Sequence, residues 1–495
     1  MLTILAQAAG DIAAWQTLAF LMFGVVVGLV FGVIPGLGGT TALAILLPLT
    51  FGMDVIDAFA MCGGIMGAVA MGGSISAILL NAPGTAPSAA TCLDGYPMAQ
   101  QGRAAEAIGA VAMASPLGGL FGMITLLIVF PLARDIVLLF GPPEFFLLAV
   151  FGLVSIAVAD SANLLRGLIV AGIGLMLSFV GYDPVNGGVR FALGFDYLWD
   201  GIPLVPALVG LFGMAEMIAL SVHGGSVAAD SGSTRLSGVM TGIRSTLGHW
   251  RVVIRGSIIG TVIGAVPGVG GTVATFIAYT TARKADPHPE TFGTGRIEGV
   301  IAPEAANNAK DSGALLPTLA FGIPGSAEMA VFLGILVLHG MQPGPTMFVE
   351  HQREIYGLVV ALTLAAIVAS VIGLTFVRSL AWITRVPGGV LAPTVIAVSL
   401  VGTFAIDSQP GDVVLAAVFG VLGYLMLRFD YPRLPLVIAL VLGETAERGF
   451  HQAMIIGRGS WSVFLQSPTS IVLVALIAAS LGWSALPFLR RQLAV

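Results

Sequence analysis

The motif Pro-Gly-x-Gly-Gly-Thr occurs twice, at residues 35–40 and 267–272, each time inside a long apolar stretch. In hydrocarbon an unpaired backbone amide or carbonyl costs several kcal/mol, so a break at membrane depth survives only where protein or a water-filled cavity surrounds it. The two breaks must therefore face the protein interior. A helix that restarts after such a break presents unpaired N–H groups carrying roughly half a positive charge, which suits an anion such as a carboxylate.

That the surroundings are membrane follows from composition: 57% of residues are hydrophobic and 9% charged, against roughly 25% charged in soluble domains. Stretches 15–34, 107–133, 355–377 and 463–486 approach or exceed the length a spanning helix needs. We expect an all-α, polytopic helical membrane protein of about 12 spans, resting in the lipid bilayer. The first 20 residues lack the Lys or Arg of a secretory leader, so the start is expected to be retained. Net charge is −5 with no basic cluster, which sets nucleic acid aside. The six histidines lack any metal spacing, Cys62 and Cys92 have no second pair, and the glycine motif lacks the Gly-Lys-Ser/Thr of a phosphate loop. Metal sites, a disulfide scaffold and ATP hydrolysis are not expected. Nor is an enzyme: no Ser/His, paired Asp or His cluster falls in matching segments.

The chain repeats itself. Pro35 falls on Pro267 at an offset of 232, Pro83 on Pro324 at 241, Ser161 on Ser408 at 247 and Pro184 on Pro432 at 248. Four marks in one order at a slowly growing offset imply two homologous halves: a first transmembrane repeat over 1–222, a polar connector over 223–251, and a second repeat with a C-terminal helix over 252–495. Arg235, Arg244, Arg251 and Arg255 in and beside the connector favour the cytoplasmic side. An inverted repeat follows if the N-terminus lies outside; Arg490 and Arg491 pull the C-terminus inward, and a parallel repeat stays open.

Glycines at 36, 38 and 39 allow close backbone approach to a ligand. Thr40 and Thr41 are expected to cap the restarting helix and offer hydroxyls. In the second half the counterparts are Gly268, Gly270, Gly271 and Thr272. The second pair of breaks places Asn81, Gly84 and Thr85 opposite Pro324, Gly325 and Ser326. We read the four breaks as a substrate-binding site in which backbone amides, rather than a cluster of cationic side chains, hold the acid. Packing alone would explain glycine runs such as residues 62–73, but not a polar residue beside every break. The stretch 283–313 reads mostly as a solvated loop, with Asn307 and Asn308 at its end lining the ligand path. Asp160 and Asp407, at equivalent helix ends, and Glu328, beside the last break, are ion-coupling candidates; helix ends in the interface explain the two aspartates equally well. Glu216 sits inside an apolar run and needs a protein or water partner.

The stretches "VIPGLGGTTALAILLP", "NAPGTAPSAATCLDGYPMAQQG", "PEAANNA" and "LPTLAFGIPGSAEMAVFLG" together resemble the large membrane subunit (TctA type) of the bacterial tripartite tricarboxylate transporters. The resemblance implies a multi-pass protein of the bacterial inner membrane that imports a di- or tricarboxylate, driven by sodium or protons as coupling ion and with no cofactor. Its implied partners are a small membrane subunit and a periplasmic solute-binding protein. The alternative is a gradient-independent organic-anion channel or exporter. The family's polar marks carry over onto Asp94, Tyr96, Asn307 and Asn308 as well as the break residues. Ala86, Lys310, Asp311 and Glu328 depart from the pattern, three of them by introducing charge.

Overall fold

The computed structural model describes residues 2–159, 164–183, 187–223, 238–383 and 388–492. They are almost wholly helical, with one two-stranded hairpin pairing Gly181–Tyr182 with Val189–Arg190. Among the described residues six helices are long and apolar enough to cross a membrane: Trp15–Val33, Val55–Leu80, Ala104–Ala133, Leu204–Val222, Gln352–Thr375 and Pro410–Arg428. Six shorter apolar helices accompany them. The protein is an all-α polytopic membrane protein. Val55–Leu80 lies at the centre, 89% of its span buried, whereas Pro410–Arg428 is 33% buried and turns Val414, Val418 and Val421 outward. Outward valines have no water to avoid in lipid, so an apolar exterior is the stable one here.

We label the eight helices flanking the breaks α1 (Trp15–Val33), α2 (Gly38–Leu46), α3 (Val55–Leu80), α4 (Ala89–Gln100), α5 (Trp250–Gly264), α6 (Gly270–Ala285), α7 (Glu298–Phe321) and α8 (Ala327–Leu338). All four expected breaks are present, at 34–37, 81–88, 265–269 and 322–326. Their geometry follows from the sequence. Gly36 and Gly38 take φ of +90° and +62°, and Gly268 and Gly270 take +78° and +74°, a region L side chains avoid. Helices α3 and α7 both end on a left-handed residue, Asn81 (φ 53°) and Gly322 (φ 68°), the commonest way to stop a helix.

The two halves pack by one rule. Gly24, Gly28 and Gly32 of α1 lie against the backbone of Met61, Ile65 and Val69 of α3. Gly256, Gly260 and Gly264 of α5 lie likewise against Ala302, Ala306 and Lys310 of α7. The glycines are 232 positions apart (Gly24 to Gly256) and their partners 241 (Met61 to Ala302), the offsets carried by the sequence marks. A Cβ on Gly28 would stand 2.5 Å from the Ile65 carbonyl oxygen, and one on Gly256 2.5 Å from that of Ala302. Only glycine every fourth residue lets these backbones touch.

One expectation needs correction. The stretch 283–313 is not mostly solvated loop: from Glu298 onward it is the buried helix α7, because its polar residues find partners inside the protein. Asp94 pins the loop before it, its Oδ1 accepting from the amides of Gly293 (2.9 Å), Gly295 (2.8 Å) and Arg296 (2.7 Å) while Tyr279 donates to Oδ2 at 2.9 Å. The second part of the polar connector is helical, Val239–Gly248, and Gly242 packs against the Glu106 backbone.

Candidate functional site

The four breaks converge. A cavity of about 480 Å³ is bounded by residues 36–41 and 83–87 of the first half and by 270–272 and 326–328 of the second, with Lys310 of α7, Phe212, Glu216, Arg433 and Leu434 completing the wall. Of the expected site residues, Gly36, Gly38, Gly39, Thr40, Thr41, Gly84, Thr85, Gly270, Gly271, Thr272, Ser326 and Glu328 line it. The amides at the first turns of α2 and α6 have no partner within their helices, and they begin at this wall.

The break residues outside the wall shape it. Asn81 is exposed at the end of α3, Gly268 lies against Ile156, and Gly325 is buried, a Cβ on it falling 2.7 Å from the Gly264 carbonyl. Pro35, Pro267 and Pro324 are also absent from the lining; proline has no N–H to offer a ligand and serves to end the helix. Asn307 and Asn308, expected to line the ligand path, are absent from the cavity lining. Both are buried, and Asn308 is held by Ser115 (3.0 Å) and the Gly67 carbonyl (3.4 Å). Thr40 and Thr41 do not cap α2: its N-cap is Leu37, and the threonines lie within the first turn. Ser326 does cap, its hydroxyl accepting from the Met329 amide at 3.3 Å. Asp407 is exposed at the last position of its helix, away from the cavity, and Asp160 lies outside the described residues.

Cationic side chains stand beside the backbone breaks as well. Lys310 and Arg433 both line the cavity. Lys310 Nζ sits 2.5 Å from Asp311 Oδ1 and 3.5 Å from Glu328 Oε2. Arg433 reaches Glu216 Oε1 at 2.6 Å, donates to the Leu211 carbonyl at 2.8 Å and stacks over Phe212 at 5.1 Å. The Leu211 carbonyl belongs to a π-helical turn, Val209–Met214, a feature frequent at functional sites. Lys310 was visible as a charge in an apolar setting. The Glu216–Arg433 pair was not, because 217 positions separate its members and only folding brings them together. So every cation in the wall is already engaged by an acid, and Asp311, which pairs with Lys310 from outside the lining, makes acids outnumber bases by one in the charged cluster.

A family model described as the tripartite tricarboxylate transporter TctA family matches residues 18–438. The chain belongs to the TctA family. Among curated relatives, an uncharacterised 52.8 kDa protein from the TAR-I ttuC' 3' region of Agrobacterium vitis is 34% identical over 480 residues, covering 95% of this chain and 93% of the relative. A second, from the TAR-II ttuC' 3' region of the same organism, is 31% identical over 233 residues, 47% of this chain and 96% of that protein. No solved structure matches. As a TctA-type subunit, the chain is the large membrane component of a tripartite transporter, a family that works with partner subunits and a substrate-binding protein.

Proposed function

We propose that the chain imports a di- or tricarboxylate across the bacterial inner membrane by cation-coupled alternating access, with a small membrane subunit and a periplasmic solute-binding protein as partners. The observation that carries this is the charge balance of the cavity. Helix N-termini and two cations favour an anion, but Glu216, Glu328 and Asp311 already answer those cations. A substrate carboxylate entering alone would meet cations already neutralised and one acid in excess, at a cost that rises as water is excluded. Entry together with a cation removes that cost. This is the electrostatic basis of obligatory co-transport, and it supports coupling over a passive anion channel.

Uptake of a panel of labelled di- and tricarboxylates by vesicles holding this chain and its partners, under an imposed sodium or proton gradient, tests the reading. Accumulation above the outside concentration that collapses with the gradient is expected. Gradient-independent equilibration would favour the channel or exporter instead.

A further inference from the structure

A second polar cluster lies behind the cavity. Glu304 of α7 is fully buried. Its Oε1 accepts from Ser74 Oγ of α3 and from Thr91 Oγ1 of α4, each at 2.5 Å. Ser88 Oγ lies 3.5 Å from Ser74 Oγ and 2.9 Å from Thr85 Oγ1, and Thr85 lines the cavity. The other carboxylate oxygen, Glu304 Oε2, is buried with no hydrogen-bond partner. No Lys, Arg or His is paired with Glu304 among the described residues, unlike Glu216, Asp311 and Glu328.

The pseudo-symmetric position shows that folding does not require this cluster. At an offset of 241, Glu304, Ser74, Ser88 and Thr91 correspond to Gly63, Leu315, Met329 and Phe332. Leu315, Met329 and Phe332 are fully buried hydrophobic core. One junction between the halves is therefore closed with apolar packing, while its counterpart buries a carboxylate of the second half and three hydroxyls of the first. An uncompensated buried carboxylate is costly, and apolar replacement of buried charge is often neutral or stabilising. A cation resolves the conflict. Hydroxyl and carboxylate oxygens are the donors a hard, weakly charged ion takes, and two hydroxyls on one carboxylate oxygen, with the Ser88 hydroxyl 3.5 Å beyond that of Ser74, are more oxygen than a proton uses.

We infer that Glu304, Ser74, Ser88 and Thr91 form the binding site for the coupling sodium ion, linked through the Ser88–Thr85 contact to the substrate cavity. The site joins α3 and α4 of the first half to α7 of the second. Sodium bound there ties the halves together and fixes Thr85 at the cavity wall. The inference rests on the coupled-transport reading above, and its test is separable from it.

The full-length protein in detergent is titrated with NaCl against KCl at constant ionic strength, reading thermal stability. Sodium-specific stabilisation is expected for the wild type. Glu304→Gln should abolish it, and Thr91→Val should raise the half-maximal sodium concentration by about tenfold, the equivalent of one lost ligand. Absence of a sodium-specific shift in the wild type, or a wild-type response in both variants, overturns the site. If Glu304→Gln does not fold, Thr91→Val and Ser88→Ala decide alone. Vesicle uptake separates the two readings. Sodium binding lost in Glu304→Gln without any wild-type carboxylate uptake sinks the transport reading and leaves the site. Sodium-driven uptake unchanged in Glu304→Gln, or uptake driven by protons alone, sinks the site and leaves transport.

Discussion

The two halves of the chain build the same scaffold and then furnish it differently. In both, three glycines spaced by four residues press a helix onto its neighbour, and in both that neighbour ends on a left-handed residue before a Pro-Gly break. Gly39 faces Val69 of its own half and Glu328 of the other; Gly271 faces Lys310 of its own half and Pro87 of the other. Val69 and Lys310 are counterparts at an offset of 241, as are Pro87 and Glu328. The geometry is therefore duplicated, while at these counterpart positions the charge is confined to the second half. Duplication supplies four breaks meeting at one place, and divergence decides what that place binds.

The largest effect should come from closing the shared geometry. A Cβ on Gly39 would lie 2.6 Å from Glu328 Oε1, and one on Gly271 2.9 Å from Pro87 Cγ. Gly39→Leu and Gly271→Leu should each insert in the membrane yet lose carboxylate uptake by about a hundredfold or more, since displacing a positioned ligand by an ångström already costs on that order. Full uptake by both proteins, with partners present, would remove the cavity from the transport path.

Next comes the asymmetry itself. Lys310→Met leaves Asp311 and Glu328 without their cation, and orphaning a buried ion costs about 3–5 kcal/mol; a large drop in thermal stability is expected. The triple change Lys310→Val, Asp311→Ala and Glu328→Gln removes all three charges and brings positions 310 and 311 to the first half's residues. Stability should return to within about 2 kcal/mol of the wild type, while uptake stays lost. Recovery of uptake along with stability would mean that the charges serve folding and that the breaks alone hold the substrate.

How much of this was legible in the sequence depended on the kind of signal. The breaks and the repeat were, because Pro and Gly act through the local backbone and need no partner: the residue pattern at 35–40 dictates a stop wherever it stands. The cavity wall was half legible. Thr85, Ser326 and Glu328 stand beside a break, whereas Arg433 and Glu216 meet only in the folded protein. The first part of helix α7 reads as loop in the sequence because polarity in an apolar chain reads as solvent. Glu304, Asn308 and Lys310 are instead polar because other buried groups, Ser74, Ser115 and Asp311, answer them.

A third test concerns the helix contacts that precede any site. Gly28→Val and Gly260→Val force apart backbones now in contact, α1 from α3 and α5 from α7 respectively. Overpacking of this kind costs about 1–3 kcal/mol. Because the two contacts are counterparts, their losses in thermal stability should agree within about 1 kcal/mol. A loss confined to one half would show that the duplicated packing bears load on one side only.

The smallest effect, and the finest measure of the comparison, lies at the helix ends. Asn81 and Gly322 do the same job with different residues, both at positive φ. A side chain pays little there if its own polar group bonds locally, as Asn does, and more if it cannot. Asn81→Gly should therefore be neutral within a few tenths of a kcal/mol, since glycine adopts φ of 53° freely. Gly322→Ala should cost about 1 kcal/mol, and Gly322→Asn less. The same order is expected in uptake only if the end of α7 moves during transport, because a static cap affects stability alone. Measuring both quantities on the same three proteins separates a stop that merely ends a helix from one that turns.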